Sequence, residues 1–507
     1  MFSFKILGRF CKRFLLLGCC AIQFSHAAPP SVAIDPVLYL LLSDEDSLPI
    51  EPPQSAKTIT DFNNTYVGKF RSGIAAFSDG AIALRESSAG DSLFVAASNT
   101  VFGVGERSLP IAKPTGSKAS LNTGAVLQDD VGIKDRIPFG NFDGGPTNYS
   151  ILSMWVYNDW LWVFYAEYYD APGTRQDNVA VLTNIDDLAN SPVYGGFRAG
   201  TMIDGEVADA QYVTKGVAPV PASQRARLDG HTHSLFSSIE LAILSRVPVG
   251  HSFYTFDPES WVGTVQNAIN VSANPNSSQA QKDMANNAHL PATQRFAHTD
   301  QNRITDDLLN YGGASGGVNN DLYTEKSIAG AGFIYPGTDQ IFYIGRSGGH
   351  TPDTTNPVRG YNDGADTFGT IAYKGNYQVG ADGTITTVPG NATLENNVGQ
   401  VFDGYAVYIS QDVQEYYWLY DLDPVLAAPT KHSIRPYEYD NYVGPVPRES
   451  IPLDGNPNSL SPETANGVTR ASWSADGKTA YFVRSFTSEN GGFPAGDSVI
   501  SKHVFAD

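Results

Sequence analysis

The dipeptides that interrupt this chain constrain its fold more than any other feature. Asp79-Gly80 lies in GIAAFSDGAIALRE, Asn158-Asp159 in LSMWVYNDWLWVFYAEYYDA, and Asp476-Gly477 in ASWSADGKTAYFVRSF. Each divides two runs rich in aliphatic or aromatic residues. Asx and glycine tolerate the positive φ of a tight two-residue turn, so each stretch reads as a β-hairpin. Further strands are expected at DSLFVAAS, VAVLTN, SSIELAILSRV, QIFYIGR, GTIAYKGNYQVG and GYAVYIS. Helical periodicity is nearly absent. SQAQKDMANNAHL, residues 278–290, is the best helical candidate, and WVGTVQNAI is a weaker one.

The residues before the first strand read as an export signal. Lys5, Arg9, Lys12 and Arg13 form a basic start, Phe14 to Phe24 is apolar, and Ser25-His26-Ala27 offers small residues to a signal peptidase. Cleavage after Ala27 leaves residues 28–507 as one mature domain, secreted or periplasmic. A lipoprotein reading of LLGC is weaker, because few apolar residues precede Cys19. No later stretch is apolar over the roughly 20 residues that a membrane-spanning helix requires. All three cysteines (Cys11, Cys19, Cys20) fall in the signal, which excludes disulfides, thiol nucleophiles and cysteine-ligated zinc from the mature chain. A chain of this length buries enough core without such staples.

Loss of the signal leaves 29 basic against 53 acidic residues. That balance argues against nucleic acid and anionic membranes as partners, since both are held through lysine and arginine. The absence of a serine-nucleophile elbow, a phosphate loop, a dinucleotide fingerprint and an H-E-x-x-H helix leaves serine hydrolases, kinases, NAD enzymes and thermolysin-like proteases without support.

Many short strands, 49 glycines and no internal linker point to one all-β domain. Radial repetition suits an unbroken chain of this size, so the expected fold is a β-propeller of six or seven blades. The C-terminal SVISKHVF reads as a strand, as it would in a ring closed by the C-terminal strand region. WSADGKTAYF resembles blade hairpins of many bacterial β-propellers. YIGRSGGH, GVAPVPASQRARLDG with the following SIELAILSRVPVGHSFYTFDP, and YYWLYDLDPVL with RPYEYDNY are similar to a poorly characterised group of secreted bacterial β-propeller proteins. Those relatives often carry a cysteine and more glycine after the arginine, where this chain has His350-Thr351-Pro352. The resemblance implies the fold and carries no established activity. It is distantly like propeller-fold polysaccharide lyases and glycosidases, which suggests carbohydrate chemistry by analogy alone.

Candidate chemistry gathers in three places. In IGRSGGH a strand ends in glycines between Arg346 and His350. There an arginine can hold a carboxylate bidentately, and a histidine can move protons near neutral pH. In DGHTHSLF, alternation places His231 and His233 on one strand face, and a regular hairpin brings His251 and Arg246 near them. In IPFGNFDGGPTNYS, Asp143 is the expected metal ligand, for a calcium ion held through oxygens, with Asn148 and Tyr149 as substrate contacts. For each place the plainer reading is a structural turn. The aromatics of MWVYNDWLWVFYAEYYD serve either a sugar-binding face or packing between blades, with packing preferred.

These residues suggest a polysaccharide lyase. Arg346 would neutralise a uronate carboxylate, and His350, His231 or His251 would take the adjacent proton in a β-elimination. Glycoside hydrolysis by two carboxylates is a variant. The alternatives are a non-catalytic propeller that binds an extracellular glycan or protein, and a metal-dependent hydrolase.

Overall fold

The computed structural model describes residues 59–73, 80–97, 101–116, 120–139, 149–167, 176–203, 206–207, 215–237, 251–297, 328–346, 376–379, 385–387, 401–403, 415–428, 443–447, 468–484 and 498–506, all within the unit Ser55–Asp507. The expected signal lies outside them.

Strand β1 (Tyr66–Arg71) stands apart from the strands that follow it in sequence. A first blade contains β2 (Ile82–Arg85), β3 (Ser92–Ala96), β4 (Gly103–Ser108) and β5 (Val126–Gly132). A second contains β6 (Tyr149–Tyr157), β7 (Trp160–Glu167), β8 (Val179–Leu182) and β9 (Val193–Gly200). A small ribbon of β10 (Met202–Ile203) and β11 (Glu206–Val207) follows. The third blade starts with β12 (Gly216–Pro219), β13 (His233–Ser237) and β14 (Ser252–Phe256). Next, β15 (His289–Pro291) pairs in parallel with β9, and β16 (Thr293–Ala297) completes the third blade. The fourth starts with β17 (Ile328–Ile334) and β18 (Gln340–Arg346). A separate sheet of β19 (Asn376–Val379), β20 (Ile385–Thr387) and β21 (Val401–Asp403) follows, and β22 (Glu415–Asp421) and β23 (Val443–Pro447) then complete the fourth blade. The fifth contains β24 (Arg470–Trp473), β25 (Thr479–Arg484) and β26 (Val499–Val504).

The fifth blade is completed by β1, antiparallel to β26, with Phe70 opposite Ile500 and Lys69 opposite Ser501. N- and C-terminal strands thus share one sheet, as a closed ring requires. The first strands of the five blades, β2, β6, β12, β17 and β24, touch in cyclic order around a common axis. They meet so closely that a Cβ on Gly330 of β17 would lie 2.1 Å from the carbonyl oxygen of Val468, which only glycine permits. The fold is therefore an all-β propeller.

The described strands form five blades, where six or seven were expected. Part of the extra length lies in insertions: the helices Pro258–Ala273 and Gln279–Asn286 between β14 and β15, and the three-stranded sheet between β18 and β22. The first helix runs 16 residues. Asp257 caps it by accepting from the Glu259 amide, and Pro258 takes the first turn, where a missing N–H costs nothing. Ser278 and Gln281 form a capping box at the start of the second. Trp261, Val265 and Ala268 anchor the first helix in the core between the second and third blades.

Asn158 and Asp159 adopt φ of 54° and 55° and turn β6 into β7, and Gly477, at φ 71°, turns β24 into β25. The described strands on either side of Asp79-Gly80, β1 and β2, belong to different blades, and residues 74–79, which include most of the first arm of the expected hairpin, lie outside the described residues. Successive strands alternate direction, which gives the ring two faces. The first strand of each blade starts on the face called here the entry face and ends on the exit face. Every connection on the entry face includes residues outside the described set. The five turns joining first to second strands on the exit face are described in full.

Candidate functional site

The expected site residues divide between the two faces. Asp143, Asn148, Arg246 and His350 lie outside the described residues. Arg346 ends β18 on that face, in register with Ile328 and Glu415. Tyr149, expected to contact substrate, instead starts β6 with its ring buried at 3% exposure. Phe102 meets it edge-on at 6.3 Å between ring centres, and the Lys134 ammonium lies over it at 5.6 Å. The alternation of β6 turns that side chain into the core between the first and second blades.

His251 does not join His231 and His233. The β13–β14 register sets His233 opposite Phe256, while His251 precedes the other end of β14. At about 3.4 Å per residue, that separates them by roughly 17 Å along the strand. His251 is fully buried between the third and fourth blades. It stacks on Tyr343 at 4.0 Å between centroids, meets Trp418 edge-on at 4.8 Å, and shares a 2.6 Å hydrogen bond through Nδ1 with the Tyr420 hydroxyl. Burial holds its pKa well below that of an exposed imidazole.

His231 and His233 do not share a strand face either. Strand β13 begins only at His233, and His231 follows a turn in which Asp229 and Gly230 take φ of 59° and 78°. The side chain of His231 therefore reaches Thr255, whereas His233 packs beside Phe256, one position along β14 and so on its opposite side. Around His231 the hydrogen bonds form a chain. The Arg295 Nε donates to Thr255 Oγ1 at 2.8 Å, and Thr255 Oγ1 lies 2.9 Å from His231 Nδ1. Arg295 Nη2 donates to Asp229 Oδ2 at 2.8 Å and lies 3.4 Å from the same His231 nitrogen. With donors on that side, Nδ1 is the acceptor and the imidazole is neutral. Burial first, and the Arg295 charge second, hold its pKa down accordingly. These contacts fasten the 226–232 turn to β14 and β16. They also engage the Nδ1 nitrogen of His231.

His233 belongs to a different assembly. Trp155, Tyr157 and Trp160 are half-buried where β6 turns into β7 on the exit face, beside the axis. Trp155 stacks on Tyr157 at 4.7 Å, and His233 lies 4.9 Å from Trp155 and 5.7 Å from Tyr157. Behind them Trp155 contacts Trp162 at 5.9 Å and Phe256 at 5.8 Å, and Phe256 stacks on Trp261 at 4.0 Å. Trp162, Phe256 and Trp261 are fully buried, so the exposed rings rest on a fixed aromatic stack. The Tyr157 hydroxyl donates to Glu259 Oε1 at 2.5 Å. Burial, that hydrogen bond and the nearby Glu259 and Asp257 charges push its phenol up to about 12. Burial, and then Arg225, depress the His233 pKa to about 4, so this ring is neutral at physiological pH. The result is a rigid, uncharged aromatic shelf with a carboxylate at its edge.

Sequence reasoning also missed a polar network. Glu106, 4% exposed, accepts from Ser92 Oγ at 2.5 Å, Gln128 Nε2 at 2.6 Å and Arg85 Nη1 at 3.3 Å. Arg85 continues to Asp186 of the second blade, and Gln128 Nε2 donates to the Ile185 carbonyl. This network pins the first blade to the second, and its partners are too far apart in sequence to be paired by inspection. Among the described residues, no three His, Cys, Asp or Glu side chains gather as a metal-ligand group.

No family model matches the chain, and no curated protein matches its sequence. Among solved structures it is similar to the catalytic domain of Coprinopsis cinerea GH62 alpha-L-arabinofuranosidase, with a TM-score of 0.32 and 9% identity over 86% of this chain and 97% of that one. A likeness at that level says nothing of substrate.

Proposed function

We propose that this propeller is an exported carbohydrate-binding protein whose exit face holds a sugar ring on the shelf of Trp155, Tyr157 and Trp160. The observation that carries this reading is the pairing of half-exposed rings with a polar edge. A sugar presents an apolar C–H face to an aromatic ring and hydroxyls around its rim. Glu259, fixed by Tyr157 at 2.5 Å, supplies an acceptor for a hydroxyl beside them. The buried stack behind the rings keeps them in place, so little side-chain entropy is lost on binding.

The β-elimination expected of Arg346 and His350 rests on the sequence alone. His231 does not favour it, because its Nδ1 is engaged and Arg295 is committed to Asp229 and Thr255.

Affinity electrophoresis in gels containing soluble polysaccharides tests the reading. At least one glycan is expected to retard the wild-type protein. Trp155→Ala should abolish the retardation and leave the far-ultraviolet spectrum unchanged. Retardation that survives both Trp155→Ala and Tyr157→Ala would overturn the assignment of the shelf. Release of an unsaturated product absorbing in the near ultraviolet, lost in His350→Ala, would add lyase activity.

A further inference from the structure

The charges around the shelf bear on what kind of sugar it accepts, an inference that rests on the carbohydrate reading above. Three acidic residues border it. Glu259 touches the Tyr157 hydroxyl, Asp257 caps the same helix end, and Asp159 is exposed at the tip of the β6–β7 turn. A cation, Arg225, is half-buried nearby: its Nε donates to the Val220 carbonyl, and its charge helps to lower the His233 pKa. The rings themselves carry no charge at neutral pH, since Tyr157 keeps its proton and His233 stays the neutral imidazole.

We propose that the shelf selects glycans without carboxylate groups, meaning neutral or amino-bearing sugars, and rejects uronates. A uronate carboxylate stacked on Trp155 would lie beside Glu259 and Asp257, where the carboxylates outnumber the guanidinium of Arg225. Like charges about 4 Å apart repel by roughly 1–4 kcal/mol between water and a protein surface. A hydroxyl or an ammonium in the same place instead donates to those carboxylates.

The experiment is a binding titration with a panel of oligosaccharides matched in length, in neutral, glucosamine-type and uronate series, at low salt. Neutral or amino members should bind, and uronate members should bind at least tenfold more weakly. Glu259→Gln combined with Asp257→Asn should narrow that gap severalfold, and so should salt at about 0.5 M, where screening shortens to a few ångströms. Uronates that bind as tightly as their neutral counterparts, with binding still lost in Trp155→Ala, would overturn the charge selection and leave the shelf standing. Failure of every series to bind would overturn the shelf as a sugar site and the selection with it.

Discussion

Replacing Phe62 by alanine tests whether the ring is closed where the two chain ends meet. Phe62 is fully buried on the short helix Ile59–Asn64, just before β1. Its ring stacks on Phe342 of the fourth blade at 5.1 Å and on His503 of β26 at 4.7 Å, and meets Phe482 of β25 at 5.4 Å. It thus pins the N-terminal segment to two blades at once. Truncating a buried phenylalanine costs about 3–5 kcal/mol. The unit spans roughly 450 residues. At about 2.1 cal/mol/K per residue, its unfolding entropy near the midpoint is roughly 0.9 kcal/mol/K, so the expected fall in Tm is about 3–5 °C. Scanning calorimetry measures it. Phe62→Leu keeps most of the volume and should cost less than half as much. A Tm within 1 °C of wild type for Phe62→Ala would show that the helix does not pack there. The closure of the fifth blade by β1 would then lose its support.

Two further outcomes follow from the same packing. Gly330→Ala places a methyl group against the Val468 carbonyl, at 2.1 Å before relaxation, and should destabilise by about 1–3 kcal/mol, read by urea unfolding. Acid should unfold the protein partly through its buried imidazoles. Folded His233 titrates near 4 and His251 well below the usual 6.5, so between those values and 6.5 the unfolded chain binds protons that the native chain does not. Stability is then full above about pH 6.5 and falls as pH drops below it. His233 contributes on the order of 1–3 kcal/mol of that loss, discounted for its partial exposure. His251→Phe should flatten the acid limb of a Tm-against-pH profile, and an unchanged slope would sink this account.

The turns and the ring were legible because their signals are local. Asn158-Asp159 and Asp476-Gly477 announce hairpins through backbone chemistry that no distant residue alters. Asp79-Gly80 carries the same signal, but the run before it, residues 74–79, lies outside the described residues. The helix Pro258–Ala273 was signalled by Asp257-Pro258 ahead of Glu259, and its length was missed because strands surround it. Among the described residues the blades are fewer than length alone suggests, because inserted helices and a small extra sheet fill length that counts as blades by arithmetic. The shelf was half legible. The aromatic run is plain in sequence, yet Trp155 and Trp162 differ only in whether a neighbouring blade covers them, and that is a property of the assembled ring.

The separation of His233 from His251 supplies the sharpest check on the site as drawn. A single active centre containing both was the natural expectation from a short hairpin. The register instead puts His233 against Phe256 and leaves His251 beyond the far end of β14. Their surroundings share no residue: Trp155 and Tyr157 of the second blade enclose one, Tyr343, Trp418 and Tyr420 of the fourth enclose the other. Sites farther apart than about 7–10 Å without common partners add to within roughly 0.3–0.5 kcal/mol. A double-mutant cycle of His233→Ala and His251→Ala, measured by denaturant unfolding, should close within that margin. Glycan binding should respond to the first substitution alone. Coupling above about 1 kcal/mol would mean that the two imidazoles touch, that the β13–β14 pairing is wrong, and that one catalytic centre on this blade must be reconsidered.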